Sequence, residues 1–306
     1  MAIRWMEERL TRGETILVDG AMGTELQLRG VRMNEHAWSG VCVLSHGDVV
    51  RQIHEDYIRA GAEVQITNTF ASSRRALTGA GYGEQTARIN KLAVELAKQA
   101  RDKAATRPVA IAGSISTYFG RHDPVKQPDP PVERAAYREQ AELLAEAGVD
   151  LIVLEMMTDI EQTAYALEGA LATGLPVWIG FSVRRSEKDG SIVVFDEVAS
   201  FEDAVKAFAG SKAAALTVMH SRIENTVPAL EILRKHWKGT LGAYPHSGTF
   251  KMPEWQFVDL ISAEGFADEA DKWVALGTQL VGGCCGIGPD HIRVLRGRLP
   301  AKAPKR

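Results

Sequence analysis

The sequence predicts an α/β fold, and specifically a (β/α)8 barrel that forms a single domain over residues 1–306. Eight short apolar segments alternate with amphipathic segments along almost the whole chain. Glycine repeatedly ends an amphipathic segment just before the next apolar one, and the length suits barrels of roughly 250 residues. An open doubly wound sheet is the alternative, but no G-x-G-x-x-G sequence follows the first apolar segment.

Each predicted strand is short, apolar throughout and bounded by glycine, proline or polar residues, as expected for strands buried on both faces of a parallel sheet. In chain order the predicted strands are 15–20, 63–68, 109–114, 150–155, 176–182, 213–220, 239–245 and 279–284. The predicted helices include 84–102, 133–147, 159–173, 224–237 and 267–276. Gly61, Gly148 and Gly277 each follow a helix end, where glycine is a common terminator.

Three longer connections, 118–132, 184–198 and 246–265, each follow a predicted strand. In a barrel such connections rise from the C-terminal face, so we expect them to cover the active site.

Composition and charge argue against a nucleic-acid-binding protein, a membrane protein and a disulfide-stabilised secreted protein. A net charge of −3 provides no overall basic field for nucleic acid, and no apolar run approaches the ~20 residues that span a bilayer. The N-terminus lacks the apolar core of a signal peptide. Three cysteines, two of them adjacent, are not a disulfide framework, so we expect a reducing, cytoplasmic location. The sequence neither predicts nor excludes an oligomer.

Cys284 and Cys285 lie side by side between glycines at the end of the last predicted strand. Two adjacent thiolates can bind one metal ion, and zinc favours sulfur and nitrogen ligands. A pair of small buried residues or a vicinal disulfide is the alternative. The flanking glycines favour metal binding because they leave room for an ion or a substrate. Zinc-thiolate chemistry is therefore the leading hypothesis, and it requires a third ligand.

Polar side chains end strand after strand, which is where a barrel enzyme has its reactive groups. These residues are Asp19, Asn68, Ser114, Glu155, His220, Tyr244, Cys284 and Cys285. Asp19 and Asn68 taken singly are compatible with turn or cap residues, and Tyr244 with packing. Glu155 follows an apolar run, where an unpaired carboxylate is costly. His220 ends the sixth strand, close to the eighth, and would complete a Cys₂His site with an open fourth position. Cys42 is predicted to be a core residue.

Several motifs resemble those of the homocysteine S-methyltransferase family, over about residues 15–293. They are DGAMGTEL (19–26), AWS (37–39), YIRAGA (57–62), ITNTFASS (66–73), AGSIS (112–116), LEMMTDIEQ (154–162), YPHSG (244–248) and GGCCGIGPDHI (282–292). The resemblance implies a zinc-dependent (β/α)8 barrel that transfers a methyl group to the sulfur of homocysteine.

By resemblance, Cys284 and Cys285 are zinc ligands, and Asp19 and Glu155 hold the amino group of homocysteine. The backbone amides of Gly20, Ala21 and Met22 are expected to receive its carboxylate. Asn68, Tyr244 and Ser114 are further expected pocket residues. A cationic methyl donor suits aromatic faces and a carboxylate, for which the candidates are Trp38, Phe70, Tyr118 and Glu155.

Two positions depart from the family pattern. The family usually has an Asn-Cys pair after strand six, with the cysteine binding zinc, whereas this chain has Met219-His220. His246 stands where asparagine is more usual. An imidazole in place of a thiolate makes the site one unit less negative and the metal more electrophilic. Zinc with altered reactivity, a different metal and a changed thiol substrate all remain open.

The leading hypothesis is methyl transfer to homocysteine, giving methionine, from a small donor of the S-methylmethionine, S-adenosylmethionine or betaine type. One alternative is a metal- or thiol-binding protein that lacks methyl transfer because of the change at His220. Another is a hydrolase that uses zinc-bound water. The expected partners are thus a small thiol and a small methyl donor, with Zn2+ as the cofactor, and neither nucleic acid nor a membrane.

Overall fold

Eight parallel strands form a barrel in the computed structural model, which describes residues 3–117, 129–251, 256–300 and 302–303. The barrel strands are β1 Ile16–Leu17, β2 Val64–Ile66, β3 Ala110–Ser116, β4 Leu151–Met157, β5 Val177–Phe181, β8 Ala215–Arg222, β9 Thr240–His246 and β12 Leu280–Val281. Their order around the sheet is β1-β12-β9-β8-β5-β4-β3-β2. A parallel bridge between Val18 and Val64 joins the two ends of the sheet. The prediction of a (β/α)8 barrel is confirmed.

Helices surround the barrel and lie mainly between successive strands. They are α1 Arg4–Thr11, α2 Met22–Leu28, α3 Cys42–Ser45, α4 Gly47–Ala60, α5 Arg74–Gly79, α6 Thr86–Ala104, α7 Pro130–Ala147, α8 Ile160–Leu171, α9 Phe201–Phe208, α10 Ile223–His236, α11 Ala263–Ala275 and α12 Pro289–Arg298. Gly61 and Gly148 end α4 and α7 in the left-handed conformation, the conformation that glycine adopts without strain. Among the described residues, no helix is long and apolar enough to cross a membrane.

Side chains alternate between two apolar layers along each strand. In β4, Leu151 and Val153 point into the barrel, whereas Ile152 and Leu154 pack against the surrounding helices. All four are fully buried, which explains why the strand has an unbroken apolar sequence. Met6 of α1 joins the inner layer, so this helix lies against the N-terminal end of the barrel.

Two long connections contain structure that the sequence reading did not predict. β6 Val183–Arg185 pairs with β7 Ile192–Val194, and β10 Thr249–Lys251 pairs with β11 Gln256–Val258. Both are antiparallel hairpins that follow barrel strands, so they lie towards the C-terminal face. Cys42 in α3 is 2 % exposed, as predicted for a core residue, and burial raises the pKa of its thiol to about 11.

Candidate metal and substrate site

A cavity of about 620 Å³ opens at the C-terminal end of the barrel. It is lined by residues from the ends of β1, β2, β4, β8, β9 and β12 and from the loops that follow them. Most of the site residues expected from the sequence line it: Gly20, Ala21, Met22, Trp38, Asn68, Phe70, Glu155, His220, Tyr244, Cys284 and Cys285. Asp19 and Ser114 are not among the lining residues, and Tyr118 lies outside the described residues.

Three potential ligand atoms meet in this cavity, and we call them the metal triangle: His220 Nδ1, Cys284 Sγ and Cys285 Sγ. The histidine nitrogen lies 3.4 Å from Cys284 Sγ and 3.7 Å from Cys285 Sγ, and the sulfurs are 3.8 Å apart. Tetrahedral zinc, with Zn–S bonds of about 2.3 Å and Zn–N bonds of about 2.05 Å, places two sulfurs roughly 3.8 Å apart and sulfur and nitrogen roughly 3.6 Å apart. The metal triangle therefore fits zinc and leaves a fourth position for another ligand.

Backbone hydrogen bonds fix the cysteine pair to two strands of the barrel. The Gly283 N–H donates to the carbonyl of Asp19 after β1 (3.0 Å), and the Cys284 N–H donates to the carbonyl of Pro245 in β9 (2.8 Å). The position before the pair requires glycine, because a Cβ atom added at Gly283 would lie 2.3 Å from the side chain of Ile287. Both sulfurs are thus placed by the barrel backbone itself.

A bulge in β8 directs His220 towards the cysteines. The register between β8 and β9 shifts between Met219 and Arg222, and His220 has a φ of 41°. This left-handed conformation is uncommon for a residue with a side chain, and bulges often redirect side chains near active sites. The hydroxyl of Ser182 donates to the His220 carbonyl over 2.9 Å and so supports the bulge.

A second histidine and a phenylalanine pack beside the metal triangle. The rings of His246 and His220 are 4.9 Å apart, and Phe257 lies 5.5 Å from His246. Burial and the neighbouring His220 lower the pKa of His246 to about 4. Burial also opposes charge on His220, but Cys284 and Glu155 outweigh it and raise the pKa of His220.

The thiol of Cys284 donates a hydrogen bond to Cys285. This hydrogen bond and burial raise the pKa of Cys284 well above its usual range, whereas His220 acts in the opposite direction. A divalent cation bound between the sulfurs would favour the thiolate form, which is the form that binds metals.

Two buried carboxylates lie near each other at this end of the barrel, and one of them, Glu155, lines the cavity. Asp19 is 3 % exposed and Glu155 is 6 % exposed. Burial raises the pKa of Glu155 to about 7, and burial together with the nearby Glu155 raises that of Asp19 well above its usual range. The Ile66 N–H donates to Asp19 (2.9 Å), and the Ser114 hydroxyl donates to Glu155. Ser114 therefore orients a pocket carboxylate from outside the cavity lining.

Such a pair of carboxylates is costly to bury without a cation to neutralise it. An ammonium group placed between them would offset this cost.

The segment from Gly20 to Met22 offers fewer free amides than the sequence suggests. The Ala21 N–H donates to the carbonyl of Ile287 over 2.9 Å, and the hydroxyl of Tyr57 donates to the same carbonyl. Helix α2 begins at Met22, and the first N–H groups of a helix have no partner within it. The amides at the start of α2 thus remain for a carboxylate.

Asn68 holds the loop that carries the aromatic wall of the cavity. Its side-chain amide accepts from the hydroxyl of Ser39 and donates to the Ser39 carbonyl. Trp38, the residue before Ser39, contacts Phe70 edge to face with 5.9 Å between ring centroids. A Cβ atom added at Gly23 would lie 2.2 Å from the Trp38 ring, so glycine at this position permits the observed ring orientation.

Several residues that line the cavity do not stand out in the sequence. Phe195 and Phe257 come from the two hairpin connections, Glu35 from the loop after α2, and Arg222 from the end of β8. Arg222 has a local signal, because it lies only two residues beyond the predicted strand end at His220. Phe195 and Phe257 have only a general signal: they lie in the connections 184–198 and 246–265, which the sequence predicts to cover the active site.

Comparison with known proteins gives one matching family model and two relatives of similar length. A family model described as homocysteine S-methyltransferase matches residues 16–299. The homocysteine S-methyltransferase of Escherichia coli is 30 % identical, and the match covers 94 % of this chain and 96 % of the relative. The selenocysteine methyltransferase of Astragalus bisulcatus is 29 % identical over 92 % of this chain and 91 % of its own.

Among solved structures, the metallated form of the homocysteine methyltransferase MmuM from Escherichia coli superposes with a TM-score of 0.80 at 27 % identity, covering 98 % of this chain and 100 % of that one. Its apo form superposes with a TM-score of 0.74 over the same shares of both chains. The similarity thus extends over the whole barrel.

Proposed function

The chain belongs to the homocysteine S-methyltransferase family and is a methyltransferase, and from this premise we propose its substrates and its metal. The acceptor is the thiol of homocysteine, the product is methionine, and the donor is a small sulfonium or quaternary ammonium compound. The observation that carries this proposal is the metal triangle lying in one cavity with the buried carboxylate of Glu155, beside which the carboxylate of Asp19 is also buried.

We propose that His220, Cys284 and Cys285 hold Zn2+. The distances within the metal triangle support this assignment, as does the sulfur and nitrogen chemistry of the three donors. Bound zinc would supply a Lewis acid that lowers the pKa of an incoming thiol, so that the thiolate is available at neutral pH.

Asp19 and Glu155 hold the ammonium group of homocysteine, and the amides at the start of α2 receive its carboxylate. Both carboxylates are buried and lack a cation from the described residues of the cavity other than His220. Charge-assisted hydrogen bonds of this kind are about twice as strong as neutral ones. Fixing both ends of the amino-acid group leaves the sulfur as the part of the acceptor free to reach the metal triangle.

Trp38 and Phe70 receive the cationic centre of the donor, since the faces of aromatic rings attract cations. The acceptor sulfur then forms a bond to the methyl carbon while the bond from that carbon to the donor's sulfur or nitrogen breaks, and that sulfur or nitrogen keeps the electron pair and leaves uncharged in the demethylated donor. The chain contributes by aligning the two substrates and by keeping water out of a largely apolar cavity.

A second acceptor is a different thiol or a selenol such as that of selenocysteine. Two observations favour this candidate: His220 leaves the site with two thiolates rather than three, and one relative carries the name selenocysteine methyltransferase. A selenolate is a stronger nucleophile than a thiolate, so it depends less on electron density from negative sulfur ligands around the metal.

The test is product analysis with zinc-loaded protein. We would incubate it with homocysteine or selenocysteine and with S-methylmethionine, S-adenosylmethionine or betaine, and measure products by mass spectrometry. Methionine is expected from the wild type, none from Cys285→Ala, and an undiminished yield from Cys42→Ala, which removes a buried thiol outside the site. Full activity of Cys285→Ala would contradict the mechanism.

A further inference from the structure

Arg222 stands apart from the other charged residues of the cavity. Among the described residues it is the only arginine or lysine in the cavity lining. It lies at the end of β8, and the β8–β9 register pairs it with His246. The mechanism proposed above assigns no role to this cation.

The guanidinium group of Arg222 retains free donors. Its Nε donates to Glu224 over 2.6 Å, and no other side-chain hydrogen bond of Arg222 occurs among the described residues. The side chain is 59 % exposed, so its terminal N–H groups can reach a molecule in the cavity mouth. Such a planar group matches the two oxygens of a carboxylate.

Arg222 lies far from the amides proposed to bind the carboxylate of the acceptor. The amides proposed for the homocysteine carboxylate follow β1, whereas Arg222 ends β8, and β12 and β9 lie between these strands. At a spacing of about 4.8 Å per strand, three steps around the barrel wall correspond to roughly 14 Å. The metal triangle draws on β8 and on the loop after β12. Arg222 therefore lies across the cavity from the amides proposed for the homocysteine carboxylate, on the same strand as His220 of the metal triangle, where the methyl group is proposed to be transferred.

A cation at this place has a consequence for the donor, which is itself a cation. Arg222 repels a donor that carries only positive charge, but attracts one that also carries an anionic group. Glu224 moderates this effect without removing it, because it occupies only Nε.

Resting on the proposed function, we propose that Arg222 binds the carboxylate of the methyl donor and so selects carboxylated donors. The favoured donor class is a sulfonium or quaternary ammonium compound with a carboxylate at the far end of a short chain. Cationic methyl compounds without a carboxylate are rejected.

The test compares two donors that differ only in this group: S-methylmethionine and its decarboxylated analogue, (3-aminopropyl)dimethylsulfonium. We expect the wild type to favour S-methylmethionine in kcat/KM by about tenfold or more beyond the intrinsic reactivity of the two compounds, as for a charge-assisted hydrogen bond at a partly exposed site. Arg222→Gln should lose this preference through a higher KM for S-methylmethionine, with the analogue unaffected or improved. Arg222→Lys should retain part of it.

Arg4→Ala is the matched control, because Arg4 is an exposed arginine at the opposite end of the barrel. A second measurement, calorimetric binding of S-methylmethionine without homocysteine, should show about tenfold weaker binding to Arg222→Gln and no change for Arg4→Ala. Equal losses with both donors, or unchanged discrimination, would overturn the role of Arg222. Failure of the wild type to transfer a methyl group from any donor would instead refute the proposed function, and calorimetry would still decide whether Arg222 recognises the carboxylate.

Discussion

Replacing His220 with alanine tests the metal triangle directly. The substitution removes Nδ1, which lies 3.4 and 3.7 Å from the two sulfurs, and leaves both cysteines fixed by their backbone hydrogen bonds. Zinc binding by four ligands has an apparent free energy of about 10–16 kcal/mol, so one ligand contributes about 3 kcal/mol. At 1.4 kcal/mol per tenfold, the expected loss in zinc affinity is on the order of 100-fold.

Competition with a chromophoric zinc chelator measures this loss. His236→Ala is the matched control, because His236 lies at the end of α10, away from the cavity, and contacts Glu202 there. Cobalt(II) offers a second readout: thiolate-to-cobalt absorption should persist in His220→Ala, while the bands that report coordination geometry change. A zinc affinity within about threefold of the wild type would refute the assignment of His220 and make His246 the next candidate.

Three further substitutions test other parts of the structure. Gly23→Ala should displace the Trp38 ring, which would lie 2.2 Å from the new Cβ atom, and should raise the KM of the donor while zinc content stays unchanged; an unaltered donor KM would contradict this placement. Glu155→Gln should weaken homocysteine binding roughly 10- to 100-fold without loss of zinc, as measured by calorimetry; equal binding would exclude Glu155 as an ammonium partner. His54 is fully buried, and burial lowers its pKa from 6.5 to about 4. Below pH 6.5 the unfolded state therefore binds a proton that the folded state does not, and by pH 4 stability should fall by about 3 kcal/mol. Denaturant unfolding of His54→Gln, which can still pair with Gln65, should lack this part of the pH dependence; the same slope as the wild type would contradict it.

Features that repeat along the chain could be predicted from the sequence. The buried strand β4 is apolar on both faces, and Gly61 and Gly148 end helices in the conformation that glycine favours. Each of these signals is local, so a single sequence displays it. The grouping of the cysteine pair with the polar strand ends could also be predicted, because a barrel brings the ends of all its strands to one face.

Features that depend on contacts distant in sequence could not be predicted. Ser114 follows the strand-end pattern, yet its hydroxyl is taken by Glu155 and it does not line the cavity. The amide of Ala21 is engaged by Ile287, far along the chain.

The hairpin of β6 and β7 did have a local signal in Asp189-Gly190, where Gly190 has a φ of 74°, but its strands of three residues are too short for a reliable apolar pattern.

The backbone hydrogen bond from Gly283 to Asp19 bears on when the metal triangle forms during synthesis of the chain. It joins residues from near the two ends of the chain, and contacts of such long sequence separation form late because closing the loop costs entropy. A ribosome that has released only the first seven strands of the barrel, which end with β9, has exposed His220 but not yet the cysteines. The proposed metal site is therefore complete only in a nearly finished barrel, so metal uptake would follow the assembly of the strands and would not initiate it.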